Sequence, residues 1–339
     1  MSAPSELSQV GPQVEPQVEP QVEPQVEPSA QSLLEQEARH VREIQGYFDA
    51  ELKLGLTTEQ QKLEALGSVR TFFPSYSGNI PAQSRLDFTW YAFTEIAKHL
   101  DKSDAFQDRL LLSLLWNKDF SSMHMTLHGT ETTAPAWESY GFANSLQGSW
   151  EQLLTTGTVA HQCNLASFSA KALYAGIHQD ALARIALWFL RETFETDDEQ
   201  KTASLLPAAV VWLGHCSHRL LTFSVAKQSY NEESTSHLVA PGVLARAADI
   251  VEHGFSLERW LFWRRRLQKL SHSSDAAIAK LAEDGFMCMI RTGREIAYDV
   301  PGEAKFDKKL YEVLSEELIR SGKRNVDTRD IEVNADWVD

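Results

Sequence analysis

Three short stretches of the chain bring together residue types that do chemistry. In HMTLH, His124 and His128 stand at i, i+4, the spacing that puts two imidazoles on one helix face for zinc. The zinc-protease pattern needs a glutamate directly after the first histidine as general base, and Met125 stands there. In GHCSHRL, His215 and His218 flank Cys216, yet a tetrahedral site needs two further ligands and none is visible at a matching spacing. Polar contacts at a helix end account for that pair. In HQCNLASFSAKALYAGI, His161 and Cys163 are two apart and diverge on a helix. Ser167 and Lys171 are four apart, not the three of an S-x-x-K nucleophile. The sequence holds no G-x-S-x-G, Walker or G-x-G-x-x-G stretch and no kinase set. It therefore designates no catalytic residue, no metal ligand and no cofactor, and the balance falls against an enzyme.

One pattern in the third stretch survives. At about 100° per residue, Asn164, Ser167, Lys171, Tyr174 and His178 fall on one stripe of a helix whose other positions are apolar or small. A helix so apolar is central, and its polar stripe must face water, a neighbouring helix or a cavity. A cavity there would make Lys171 the cation that orients an anionic or carbonyl ligand, with Tyr174 and His178 beside it.

A second charged segment is GFSLERWLFWRRRLQKLS, Gly254 to Ser271. Leu257, Trp260, Leu261, Trp263, Leu267 and Leu270 cover one broad arc of the helix. Arg259, Arg265, Arg266 and Lys269 fall opposite, with Glu258 and Phe262 among them. Arg264 lies inside the apolar arc, so it is expected to meet an internal carboxylate, carbonyl groups or a Trp face, or to bind an anion. Downstream, Gly285 and Gly293 share a helix face and predict a close crossing against the helix of Trp260 and Trp263.

The elements that must position these residues are helical. Apolar spacing predicts helices near Leu34–Leu52, Thr57–Leu66, Ser84–Leu100, Ala105–Trp116, Val159–Gly176, Gln179–Phe194, Pro207–Val225, Leu257–Leu270, Asp275–Tyr298 and Phe306–Arg320. Thr57-x-x-Gln60 reads as a capping box. Irregular joins are expected over Phe72–Pro81, Ser121–Gly148 and Ser229–Gly242. Residues Pro12 to Pro28 repeat PQVE four times. Each proline excludes helix and central strand, and four glutamates repel one another, so residues 1–28 are expected to be a disordered acidic tail. The expectation is an all-α, multi-helix single domain over 29–321, with a split near Asn231 as the alternative, followed by a polar acidic segment over 322–339.

Bulk properties narrow the setting. The 339 residues are 43% hydrophobic and 23% charged, with a formal net charge of −15. An acidic chain repels nucleic-acid backbones. Three cysteines without a CxxC pair fit a reducing compartment. The start, MSAPSELSQV, lacks a signal-peptide pattern, and LLPAAVVWL is too short to span a bilayer. A cytoplasmic or nuclear protein is expected, without nucleic acid or membrane among its partners.

The two charged and aromatic blocks also carry a resemblance. GFSLERWLFWRRRLQKLS, with AKLAEDGFMCMIRTGREIAYDVPGE after it, is similar to the C-terminal signature of a fungal, uncharacterised helical family, the domain-of-unknown-function family 3632. SWEQLLTTGTVAHQCNLASFSAKALYAGI and ALWFLRETFE resemble its central helices. The resemblance implies a fungal source, an all-helical fold and, for some members, an association with secondary-metabolism loci. It implies no activity and carries over no catalytic residue. The resulting expectation is a scaffold that binds another protein or itself; the alternative is a small-metabolite-binding protein or enzyme using the stripe of helix 159–178.

Overall fold

The computed structural model describes residues 30–75, 82–124, 141–230 and 236–339, residue 329 excepted. The PQVE repeat and His128 lie outside these residues. In chain order the helices are α1 (Ala30–Lys53), α2 (Glu59–Ser75), α3 (Ala82–His99), α4 (Phe106–His124), α5 (Phe142–Thr156), α6 (Val159–Tyr174), α7 (Gln179–Phe194), α8 (Glu199–Val225), the short α9 (Ser236–Val239) and α10 (Val243–Ala247), then α11 (Leu257–Ser271), α12 (Ala276–Glu295) and α13 (Glu303–Ser321). A 3₁₀ turn, Ala335–Val338, follows. No strand occurs among the described residues; Ser229 and Gly254 form an isolated bridge. The fold is all-α, as expected. Among the described residues no helix is long and apolar enough to cross a membrane.

α8 is the axis of the packing: α6, α7, α11 and α12 all lie against it. It runs through Pro207 and begins instead at Glu199, where the Asp198 carboxylate caps Lys201 N. Proline forfeits one backbone donor in a helix interior, and burial of Leu205, Leu206, Ala208 and Ala209 around it offsets that loss. The helix kinks not at Pro207 but at Cys216, where φ is −137°. Thus His215 and His218 occupy a kinked helix interior rather than a helix end. The buried apolar residues form one continuous core from Phe48 to Val338.

Two further local outcomes differ from expectation. The capping box sits one residue on: Thr58 Oγ1 accepts from Gln61 N, and Gln61 Oε1 accepts from Thr58 N. α5 falls in its first part, Phe142 to Gly148, inside a stretch expected to be irregular. Its Phe142, Leu146, Trp150 and Leu153 are buried on one face, with Trp150 4.7 Å from the Phe189 ring and Phe142 5.4 Å from Trp90. Residues 335–338 pack on α11 and α13, with Trp337 5.7 Å from Phe306.

The glycines of α12 divide between two neighbours. At Gly285 a Cβ would meet Leu267 of α11 and Val210 of α8 at 3.1 Å, the close crossing that the spacing predicts. At Gly293 a Cβ would come within 2.2 Å of Glu303 Oε2 and 2.8 Å of Tyr298 O. The second glycine therefore admits the turn into α13, not α11.

Candidate functional site

The stripe of α6 is built from its own helix and met by the α3–α4 connection. Thr158 caps α6 through His161 N, which fixes the register of the stripe. Asn164 is 7% exposed; its Nδ2 donates to Lys98 O at 2.8 Å and its Oδ1 accepts from Lys102 N at 2.9 Å. Ser167 is fully buried and donates to Lys102 O at 3.1 Å. Its Oγ also lies 3.3 Å from His215 Nε2. With the hydroxyl proton given to Lys102 O, His215 must donate from Nε2, the opposite of the arrangement in which histidine activates a serine. Burial, with the Lys171 charge adding to it, holds the His215 imidazole below its ordinary pKa. Lys171 Nζ donates to Asp108 Oδ1 at 2.7 Å, linking α6 to α4.

The stripe then disperses. Tyr174 is exposed, and its carbonyl accepts from Arg219. His178 lies beyond the end of α6, with φ of 41°, at the N-cap of α7. Its ring stacks on Phe142 with centroids 5.8 Å apart. Asn164, Ser167 and Lys171 are thus brought together, while Tyr174 and His178 face elsewhere.

The remaining candidate ligands are spread out. The His99 and His161 rings are 4.9 Å apart, with His99 Nδ1 on Glu95 O. His218 Nε2 meets Glu295 Oε2 at 2.5 Å and ties α8 to α12. Burial pushes the thiols of Cys163, Cys216 and Cys288 up, which suppresses their nucleophilic form. Among the described residues no three His, Cys, Asp or Glu side chains converge as a metal site.

The charged helix α11 corrects the sequence-based reading of its faces. Arg259, assigned to the charged back, is fully buried, and so is its partner Glu195 at the C-terminal end of α7. Arg259 Nε donates to Glu195 Oε1 at 2.5 Å and Nη2 to Oε2 at 3.0 Å, a bidentate pair. Trp263 Nε1 donates to Oε1 at 2.8 Å, and Gly242 N to Oε2 at 2.6 Å. Arg259 Nη1 reaches Val239 O and Gly254 O, both at 2.9 Å. A Cβ at Gly242 would fall 2.6 Å from the Glu195 Cβ, so only glycine admits this approach. The network is a clamp that joins α7, α9–α10 and α11. Phe262 is also buried, and Arg266, half-buried, donates to Phe194 O, whereas Arg265 and Lys269 are exposed.

Arg264 is buried within the apolar arc, as its position predicts, at 6% exposure. Nη2 donates to Pro301 O at 2.6 Å, while Nε and Nη1 are buried without a hydrogen-bond partner. Glu303, the first residue of α13, is 5% exposed, and its Oε1 is also without a partner. Burial pushes the Glu303 carboxyl up to about 8, against the opposing pull of Arg264. Beside this pair lies an open surface cavity of about 250 Å³ lined by Leu261, Arg264 and Arg265, by Pro301 and Gly302, and by Val338 and Asp339. None of the five stripe residues lines it.

No solved structure matches the chain. A Penicillium oxalicum (strain 114-2 / CGMCC 5302) protein, "Oxopyrrolidines biosynthesis cluster protein G", is 25% identical over 236 residues, 60% of this chain. The match spans 65% of that relative's length. Residues 90–267, which hold the α6 stripe, both partners of the buried clamp and Arg264, match the family described as "Protein of unknown function (DUF3632)", and the chain belongs to that family.

Proposed function

We propose that the chain is a non-catalytic helical scaffold of fungal secondary metabolism that acts by pairing with a second copy of itself through α13. The observation that carries this reading is the outer half of α13. Past Phe306 no residue of the helix is buried, and Tyr311 and Leu318 stand one heptad apart with 61% and 40% exposure. Ala304, one heptad before Tyr311, is exposed as well. Lys305, Lys308 and Lys309 precede Tyr311, and Glu312, Glu316 and Glu317 follow it. The first half stays net positive and the second net negative after Asp307 and Arg320 are counted. An antiparallel pair of α13 helices therefore sets each lysine half against a glutamate half, with Tyr311 at the centre.

Two further points support the reading. The groups best placed for chemistry are committed to structural bonds: the Ser167 proton to Lys102 O and Lys171 to Asp108. The name of the Penicillium oxalicum relative supplies the biosynthetic setting. The test is analytical ultracentrifugation of the wild type and of Tyr311→Glu/Leu318→Glu. The expected result is a wild-type dimer at micromolar concentration and a monomeric variant with unchanged helicity. A wild type that stays monomeric throughout, or a variant that still dimerises, overturns the proposal.

A further inference from the structure

Arg264 presents an unsolved electrostatic problem beside an empty volume. A guanidinium carries five N–H donors. Here two of its three nitrogens are buried and hold nothing, and no described carboxylate forms an ion pair with it. Glu303 and Asp339 lie near enough to attract the charge, but neither is hydrogen-bonded to it, and a buried charge whose hydrogen bonds are left unmade is unfavourable. Five residues earlier on the same helix, Arg259 is buried more deeply still but has a bidentate carboxylate and two carbonyls. The neighbouring carboxyl, Glu303, forms no ion pair with Arg264: its Oε2 is lodged against Gly293 and its Oε1 is left without a hydrogen-bond partner.

The cavity has the shape of an answer. Arg264 and Arg265 supply positive charge at its wall. Leu261, Pro301 and Val338 make the rest of it largely apolar. The volume exceeds what one ordered water needs many times over, yet falls below the range of drug-sized sites, so it suits a small molecule. Asp339 also lines it and is held by Gln268 Nε2 at 2.6 Å. That fixed negative charge opposes a second anionic group on the ligand, which disfavours dicarboxylates and phosphate.

We propose that this cavity between α11, the Pro301–Gly302 turn and Val338 binds a small monocarboxylate with an apolar body, whose carboxylate is the counter-charge of Arg264. Planar bidentate recognition is what a guanidinium offers a carboxylate and an ammonium does not. The site is separate from the α13 contact surface, so either assignment stands or fails alone.

The probe is benzoate, one carboxylate on an apolar ring, titrated into the full chain by calorimetry, with neutral benzamide and inorganic phosphate in parallel. A Kd of about 1 mM or tighter is expected for benzoate. Benzamide and phosphate should each bind about tenfold more weakly or worse. Arg264→Gln keeps a polar side chain, removes the charge and should weaken benzoate about tenfold. If that variant fails to fold, Val338→Trp, which fills the cavity and leaves Arg264 in place, carries the test and should abolish binding. Equal binding of benzoate and benzamide, tighter binding of phosphate, no benzoate binding, or unchanged binding by Val338→Trp would each overturn the site.

Discussion

Breaking the Glu195–Arg259 clamp should be the most damaging single change of charge among the described residues. Both Glu195 oxygens accept two hydrogen bonds: Oε1 from Arg259 Nε and Trp263 Nε1, Oε2 from Arg259 Nη2 and Gly242 N. All four partners are donors. Glu195→Gln therefore replaces one acceptor by an amide NH₂ facing two donors, in a site with no water access. Removing one partner of a buried pair costs about 3–5 kcal/mol, and the donor clash leaves little room for Gln to relieve it. Arg259→Met leaves the carboxylate two donors, so its cost should fall at the lower end, about 3 kcal/mol. The double variant should lose less than the sum of the two, with a coupling of about 2 kcal/mol, because the second change removes a group already stranded by the first. Urea unfolding followed by tryptophan fluorescence measures all three. Single-variant losses under about 1 kcal/mol, or strict additivity, would refute the clamp as an energetic unit.

Three smaller predictions follow from the same geometry. Trp260→Ala should cost about 3–5 kcal/mol for an emptied aromatic site, whereas exposed Arg265→Ala should stay within about 0.5 kcal/mol; denaturation midpoints separate them. Glu303 titrates near 8 in the fold against an ordinary 4.5, so the native state holds its proton more tightly than the unfolded chain. Its contribution to stability is complete below 4.5 and is lost as pH rises through 8; between pH 6 and 8 the loss is at most about 2–3 kcal/mol, and Glu303→Gln should flatten that slope in urea titrations. Lys171→Met should change stability by less than about 1 kcal/mol, because its partner Asp108 is 64% exposed; a larger loss in thermal unfolding would give this ion pair a weight that surface pairs do not carry.

Most of the helices were legible because their apolar residues recur at helical spacing, and the misreadings arise where contacts distant in sequence override the local pattern. In α5 the Phe142, Leu146, Trp150 and Leu153 register was present, but Gly148 and the Asn and Ser residues around it lower helix propensity. Packing of Trp150 on Phe189 and Trp212 decides in favour of helix. At Pro207 the local rule gave a helix start, and tertiary burial carried the helix eight residues further upstream to Glu199. Arg259 was assigned to the charged back because a wheel projection treats charge as a mark of solvent. Its partner stands 64 residues away, at the end of ALWFLRETFE, and nothing in the spacing of α11 announces it. The stripe on α6 was legible as far as Lys171; beyond it, the turn at Gly176 takes His178 off the helix, which periodicity cannot foresee.

Arg259 and Arg264 form an internal comparison within one helix. Both are buried, both follow a Trp or precede one, and the chain around them carries an excess of acid large enough to neutralise each. The difference is delivery. The C-terminal end of α7 places Glu195 at Arg259 with both oxygens aligned, and Gly242 gives it room. At Arg264 the available carboxyl enters from the first residue of α13, is drawn toward Gly293, and sits at a pKa near 8, so below that pH it is mostly neutral. Raising the pH through 8 would charge Glu303 and offer Arg264 an internal counter-ion. An anionic ligand in the adjacent cavity should then bind less tightly, by Coulombic competition for one guanidinium. Burial is the main cause that holds the Glu303 proton, the neighbouring Asp307 and Asp299 add to it, and Asp339 lies near Arg264. Benzoate affinity measured at pH 6.5 and pH 9 on the wild type and on Glu303→Gln separates this competition from a general loss of fold. The wild type should weaken and the variant should not, whereas a parallel decline in both would place the cause elsewhere.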